Sequence, residues 1–214
     1  MRRQLVFRGR RCPLGCAARM GMAKAKAKKL PDIAKHSWQR RRDYLMLVAA
    51  VAASDDRLHP DELKLLMRWM DDFKLPPKSR ETVLGVARKK AKPPLREIEK
   101  RLAETDLAYS LILDMMGMAM ADGVLMDDEI MLLRGVAHAL HVDPVDFNIL
   151  IEFVHSAHQA SCLSNPEPLY EHNIDSAFKL LRQRKISLFA HTLLCVSSPE
   201  FDEQLKARWS RFRG

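Results

Sequence analysis

An all-α fold is the expectation for this chain, and three observations carry it. The composition is rich in Leu, Ala, Met, Lys, Arg and Glu, with 8 Gly in 214 residues and only 7% aromatics. That mixture favours helix over sheet. No segment alternates apolar and polar residues between turn pairs, as a hairpin would. Finally, Ala53–Leu66 ("ASDDRLHPDELKLL") recurs as Met120–Leu133 ("MADGVLMDDEIMLL") at an offset of 67 residues. Each copy follows an apolar run and leads into helix-start signals, so a duplicated helical unit is expected.

The elements follow in order. "DYLMLVAAVAAS" (43–54) is apolar on almost every side and reads as a buried helix ending near Asp55-Asp56. The next helix is expected from Pro60 to about Phe73, with Pro at its first position, where a missing amide costs nothing. Helix restarts after Pro77 and after Pro94. "TDLAYSLILDMMGMAMA", capped by Thr105 or Asp106, mirrors the first helix. Asp127 to about Leu140 mirrors the second, and "DPVDFNILIEFVHSAHQA" mirrors the start of the third, Pro144 aligning with Pro77. "SCLSNPEPLYEHN" reads as a linker, followed by two or three helices in "IDSAFKLLRQR", "ISLFAHTLLCVSS" and "PEFDEQLKARWSRF". The expected organisation is a basic, disordered arm over 1–36, a helical domain over 37–160, and a linker with a C-terminal helical extension over 161–214. Met22 opens a normal-looking start, so residues 1–21 read as an upstream start-codon choice.

Charge is uneven. Residues 1–43 carry 14 Lys and Arg against Asp32 and Asp43, about +12, which leaves about −3 for the rest of a chain whose net charge is +9. Such an arm is a solvated tail or a contact for nucleic acid or anionic lipid, and electrostatics alone would bind these without sequence preference. Arg8, Arg10 and Arg11 interrupt any signal-peptide core. No apolar run approaches the roughly 20 residues of a membrane span. Cys12, Cys16, Cys162 and Cys195 are scattered and form no secreted disulfide framework, so reduced cytoplasmic thiols are expected.

The repeated motif has two readings. Asp55 aligns with Asp122, Leu58 with Leu125, Asp61 with Asp128, Glu62 with Glu129, and Leu65-Leu66 with Leu132-Leu133, while Asp56 stands where Gly123 does. On the first reading, His59 and Met126 precede a helix, and Glu62 and Glu129 are its third residues, which bond back to the helix start. Leu58 with Leu63, and Leu125 with Ile130, have the spacing of a hydrophobic staple. On the second, Asp122 and Glu129 have the spacing of the second half of an EF-hand loop whose first half is missing, since Met118 and Met120 cannot ligate calcium. Asp55 and Asp122 sit at the ends of apolar helices, where a negative charge is disfavoured unless a cation lies beside it. If the two units pack about a pseudo-twofold, Asp55, Glu62, Asp122 and Glu129 converge on a hard-oxygen site for calcium, magnesium or manganese. A weaker alternative metal site is His155, His158 and Cys162, with Glu152 on the same helical face; imidazole and thiolate suit zinc.

Two copies of an apolar helix followed by Asp, with L-x-x-x-E opening the next helix, resemble the tellurite-resistance TerB family over about residues 40–155. The same fold occurs at the N-terminus of a membrane-anchored J-domain co-chaperone. The resemblance implies an all-helical, pseudo-duplicated bundle with a divalent-metal site, at positions matching Asp55, Glu62, Asp122 and Glu129 here. Asp56 departs from the family glycine. The resemblance further implies stress or tellurite resistance, membrane-associated protein partners and no enzymatic reaction. The residues themselves offer no Gly-rich phosphate loop, nucleophile elbow or H-E-x-x-H. The expected function is a metal-binding helical adaptor, cytoplasmic or peripheral at the inner face of a membrane. The alternative is a binder of nucleic acid or anionic surfaces through residues 1–43.

Overall fold

A computed structural model describes residues 32–54, 58–103, 107–120, 125–161, 168–183, 204–205 and 207–208. Among the described residues all regular structure is helical. A 3-10 turn, Asp32–Lys35, precedes α1 (Trp38–Ala52), α2 (Pro60–Asp72), α3 (Pro77–Ala87), α4 (Leu95–Ala103), α5 (Ala108–Ala119), α6 (Asp127–Ala139), α7 (Pro144–Ser161) and α8 (Pro168–Gln183).

Local chemistry sets most of these boundaries. Ser37 caps α1 by accepting from the Arg40 amide at 3.4 Å. Proline opens α2, α3, α7 and α8, and α4 follows Pro93-Pro94. Three helices end in the same way. Lys74, Lys89 and His141 hold positive φ (49°, 54° and 59°) just past the ends of α2, α3 and α6. The next amide in each case reaches back five residues: Leu75 to the Met70 carbonyl at 3.0 Å, Lys90 to Gly85 at 2.8 Å, Val142 to Ala137 at 2.9 Å. This is the Schellman closure, made here with basic residues where glycine is usual. At Lys74 and Lys89 a cation at the helix C-terminus offsets part of the conformational cost.

The 67-residue repeat is preserved in three dimensions. α2 and α6 are both 13 residues long and start and stop at equivalent positions; α3 and α7 start at equivalent prolines. The α1 end, where the Ala53 amide bonds to the Ala49 carbonyl, matches the α5 end, where Met120 bonds to Met116. The Lys74 and His141 turns are likewise equivalent.

α1 and α5 lie in the centre. From Asp43 to Ala52 only Ala50 is less than fully buried, and α5 is buried throughout except at Tyr109. α1 packs against α2, α3, α4 and α5, while α5 also receives α6 and α7. Burial of each large aliphatic or aromatic side chain contributes about 1.5–3 kcal/mol, and Leu45, Leu47, Leu66, Phe73, Leu111, Met115, Leu133, Leu150 and Phe153 are fully enclosed. α4 is amphipathic, burying Ile98 and Leu102.

Two expected boundaries shift. α1 starts at Trp38, ahead of Asp43, with Ser37 as its cap. The expected α5 caps, Thr105 and Asp106, lie outside the described residues. The expected linker before residue 174 is partly helical, because α7 continues to Ser161 and α8 starts at Pro168. The Ser, Asn and Pro content of that stretch suggested coil, but Pro168 is a helix opener and Ile174, Ala177, Phe178 and Leu181 form the buried stripe of α8. α8 lies along α7, with Phe178 tilted against Phe153 at 5.8 Å. The expected helix "ISLFAHTLLCVSS" lies outside the described residues. Farther on, Leu205 enters the core and Arg208 bonds Asp175 (2.7 Å) and Glu171 (2.9 Å) of α8.

Candidate metal centre

Glu62 and Glu129 occupy equivalent places in the first turns of α2 and α6. Each has 5% of its surface exposed, unusual for glutamate unless the carboxylate is satisfied. Glu62 Oε2 accepts from the His59 amide at 2.7 Å, and Glu129 Oε2 accepts from the Met126 amide at 2.8 Å. Each glutamate thereby satisfies an amide at the start of its helix, where the macrodipole also favours its charge. Leu58 and Leu125, just ahead of these amides, are partly buried and pack on the core. Asp127 and Asp128 stay exposed in the first turn of α6.

Asp55 and Asp122, the other half of the expected acidic set, lie outside the described residues. In the sequence Asp55 falls between α1 and α2, and Asp122 between α5 and α6. The donor chemistry of the repeat suits a hard divalent cation: the charged groups kept in both copies are carboxylates, and the preceding residue varies between His59 and Met126. The backbone bond does not consume a carboxylate, which has two oxygens and about four acceptor sites.

For the weaker alternative, His155 and His158 are both half-buried on α7, Glu152 is exposed, and Cys162 lies outside the described residues. Burial pulls the His155 pKa below the ordinary imidazole value, with Glu152 opposing. Among the described residues no group of three or more His, Cys, Asp or Glu is placed to hold a metal ion.

The structure also shows polar side chains that the sequence reading passed over. Tyr44 donates to Asp114 Oδ2 at 2.6 Å in the middle of the bundle, joining α1 to α5, and both are about 1% exposed. Burial, followed by the Asp114 charge and hydrogen bond, pushes the Tyr44 pKa well up. Tyr109 joins α5 to α7 by donating to Asp146 at 2.5 Å. Asp43, 2% exposed, is held by Arg42 and by Arg101 of α4, both at 2.9 Å. The available signal was an acid inside an otherwise apolar run, Asp114 in "LILDMMGM", which a helix buried on all sides must pair.

The family model described as tellurite resistance protein TerB matches residues 41–151, more than half of the chain. Comparisons with curated proteins and with solved structures returned no match. The matched span runs from the start of α1 into α7, which includes both copies of the repeat.

Proposed function

The chain belongs to the TerB family, and we propose that it acts as a divalent-metal-binding helical adaptor in a stress or tellurite-resistance setting. Asp55, Glu62, Asp122 and Glu129 would hold the cation, and calcium, magnesium and manganese are the candidates. The ion would supply charge neutralisation, tying two acidic corners into one surface that a protein partner reads. The role is binding and not turnover.

The observation that supports this reading most is the pair Glu62 and Glu129. Two carboxylates are almost wholly buried at equivalent points of a duplicated unit, each preceded seven residues earlier in the sequence by an aspartate. Helix capping explains the backbone bonds. It does not explain why both copies keep an aspartate, Asp55 and Asp122, upstream.

No described helix is long and apolar enough to cross a membrane. The adaptor reading goes with a place in the cytoplasm or peripherally at the inner membrane face. The test is the melting temperature under calcium, magnesium or manganese titration after chelation. A metal present at about 100 times its Kd stabilises by about 2.7 kcal/mol. The wild type should show a saturable rise with one of these ions, and the Asp122→Asn/Glu129→Gln variant should lose it while still melting cooperatively in chelator. A metal-independent melting temperature in the wild type overturns the reading.

A further inference from the structure

The surface opposite in sign to the acidic corners has no assigned role. Between Arg88 and Arg101 the chain carries Arg88, Lys89, Lys90, Lys92, Arg96, Lys100 and Arg101 against Glu97 and Glu99. All seven basic residues are exposed. The corner is held in shape: Lys89 takes positive φ, and the Lys90 and Ala91 amides both bond to the Gly85 carbonyl, at 2.8 and 3.0 Å. α4 then carries the charge onward. Arg96 and Lys100, one turn apart, border a depression of about 340 Å³ shared with Glu99, Ala103, Ala139 and His141. On the other edge Arg101 bonds Asp43, which Arg42 also bonds, and the Arg42 guanidinium lies 5.6 Å from the centre of the Trp38 ring. Trp38 is 41% exposed. A chain of contacts thus joins the basic helix to an exposed tryptophan.

We infer that the α3–α4 corner, with Arg96 and Lys100 of α4 and Trp38 of α1, is a docking surface for an anionic phospholipid bilayer. Charge complementarity gives the sign of the partner, and the side-chain chemistry selects lipid over nucleic acid. Residues 88–101 contain no Asn or Gln to read adenine and no aromatic ring to stack bases. Instead the lysines alternate with small apolar groups: Ala91 and Pro94 are exposed, and Pro93 and Leu95 are half-exposed. Cations mixed with apolar groups and bordered by an exposed tryptophan suit the headgroup layer, where juxtamembrane Lys and Arg gather and Trp anchors. Glu99 is the acid facing the depression, where burial raises its pKa and the neighbouring Arg96 lowers it. The inference does not rest on the metal reading, and it concerns the folded domain and not the basic arm.

The test is sedimentation of the full chain with vesicles of phosphatidylcholine alone or with about 30% phosphatidylserine. Wild type should sediment only with the anionic vesicles and be released by salt. Each lost cation near the surface is worth about fivefold in partitioning, so Lys90→Glu/Lys92→Glu/Arg96→Glu/Lys100→Glu should lose at least about a hundredfold, with the arm intact. The charge-keeping Lys90→Arg/Lys92→Arg/Arg96→Lys/Lys100→Arg should bind as wild type does. Should the fourfold variant fail to melt cooperatively, the single changes Lys92→Glu and Lys100→Glu must each lower binding about fivefold. The inference is overturned by unchanged binding in the acidic variants, by loss of binding only when Lys24, Lys26, Lys28 and Lys29 of the arm become Gln, or by equal anionic charge supplied as duplex DNA displacing the vesicles.

Discussion

The two halves of the bundle share a backbone plan and close it with different chemistry. At the α2–α3 corner, Arg80 donates to the carbonyls of Leu75 (2.8 Å) and Met70 (3.3 Å) and pairs with Asp71, while Arg41 donates to the Phe73 carbonyl at 2.6 Å. At the equivalent α6–α7 corner, the place of Arg80 is taken by Phe147. That ring is 2% exposed, with the Arg134 guanidinium 5.9 Å from its centre. One corner satisfies the exposed carbonyls of a helix end with guanidinium donors; the other excludes water with a ring. The Schellman turns at Lys74 and His141 are the same in both. Backbone geometry at a helix end thus tolerates either solution, provided the carbonyls are bonded or the site is filled.

This contrast can be broken unequally. Phe147→Ala should destabilise by about 3–5 kcal/mol, because a buried ring leaves a cavity. Arg80→Ala should cost about 1.5–3 kcal/mol, the range for hydrogen bonds made by a charged group. Urea unfolding of both variants measures the difference; equal losses would show that the two corners are held by the same kind of force.

The glutamates sharpen it next. Their burial and backbone bonds are alike, so Glu62→Ala and Glu129→Ala, melted in chelator, should each cost about 1–3 kcal/mol by stranding a helix-start amide. Glu→Gln at either position keeps an acceptor and should cost less. A large disparity between the two alanine variants would mean that the copies are equivalent in backbone only.

The smallest effect is in pH. His155 stands where the first half has the exposed Arg88, and burial lowers its pKa. The unfolded chain then takes up a proton at higher pH than the folded one. Above the ordinary imidazole range, about 6.5, the group is neutral in both states and contributes nothing to the pH dependence. As pH falls below that value, the unfolded state is favoured and stability drops. His155→Gln should flatten the slope of melting temperature between about pH 7 and 5; an unchanged slope would assign that dependence to other groups.

Much of the fold was legible. The starts of α2, α3 and α7 followed from Pro60, Pro77 and Pro144, and that of α6 from the 67-residue offset, because a proline or a capping glutamate acts within one turn. The burial of α1 and α5 followed from their unbroken apolar runs. The inward turn of Glu62 and Glu129 followed from their position as third helical residues. What was not legible depends on distant partners. Arg41, Arg80 and Arg101 bond a carbonyl 32 residues away, the α2 end, and a buried aspartate 58 residues away, which no local pattern announces.

The sequence by itself determined the helical class, the duplication and the acidic helix starts, since periodicity, proline and capping are forces between near neighbours. Only the tertiary structure decided that Tyr44 joins Asp114, that Asp43 is neutralised from two helices, and that the bases of 88–101 continue toward Trp38. Those are pairings across the bundle. A chain pattern can require that a buried charge find a partner, but packing alone selects which one.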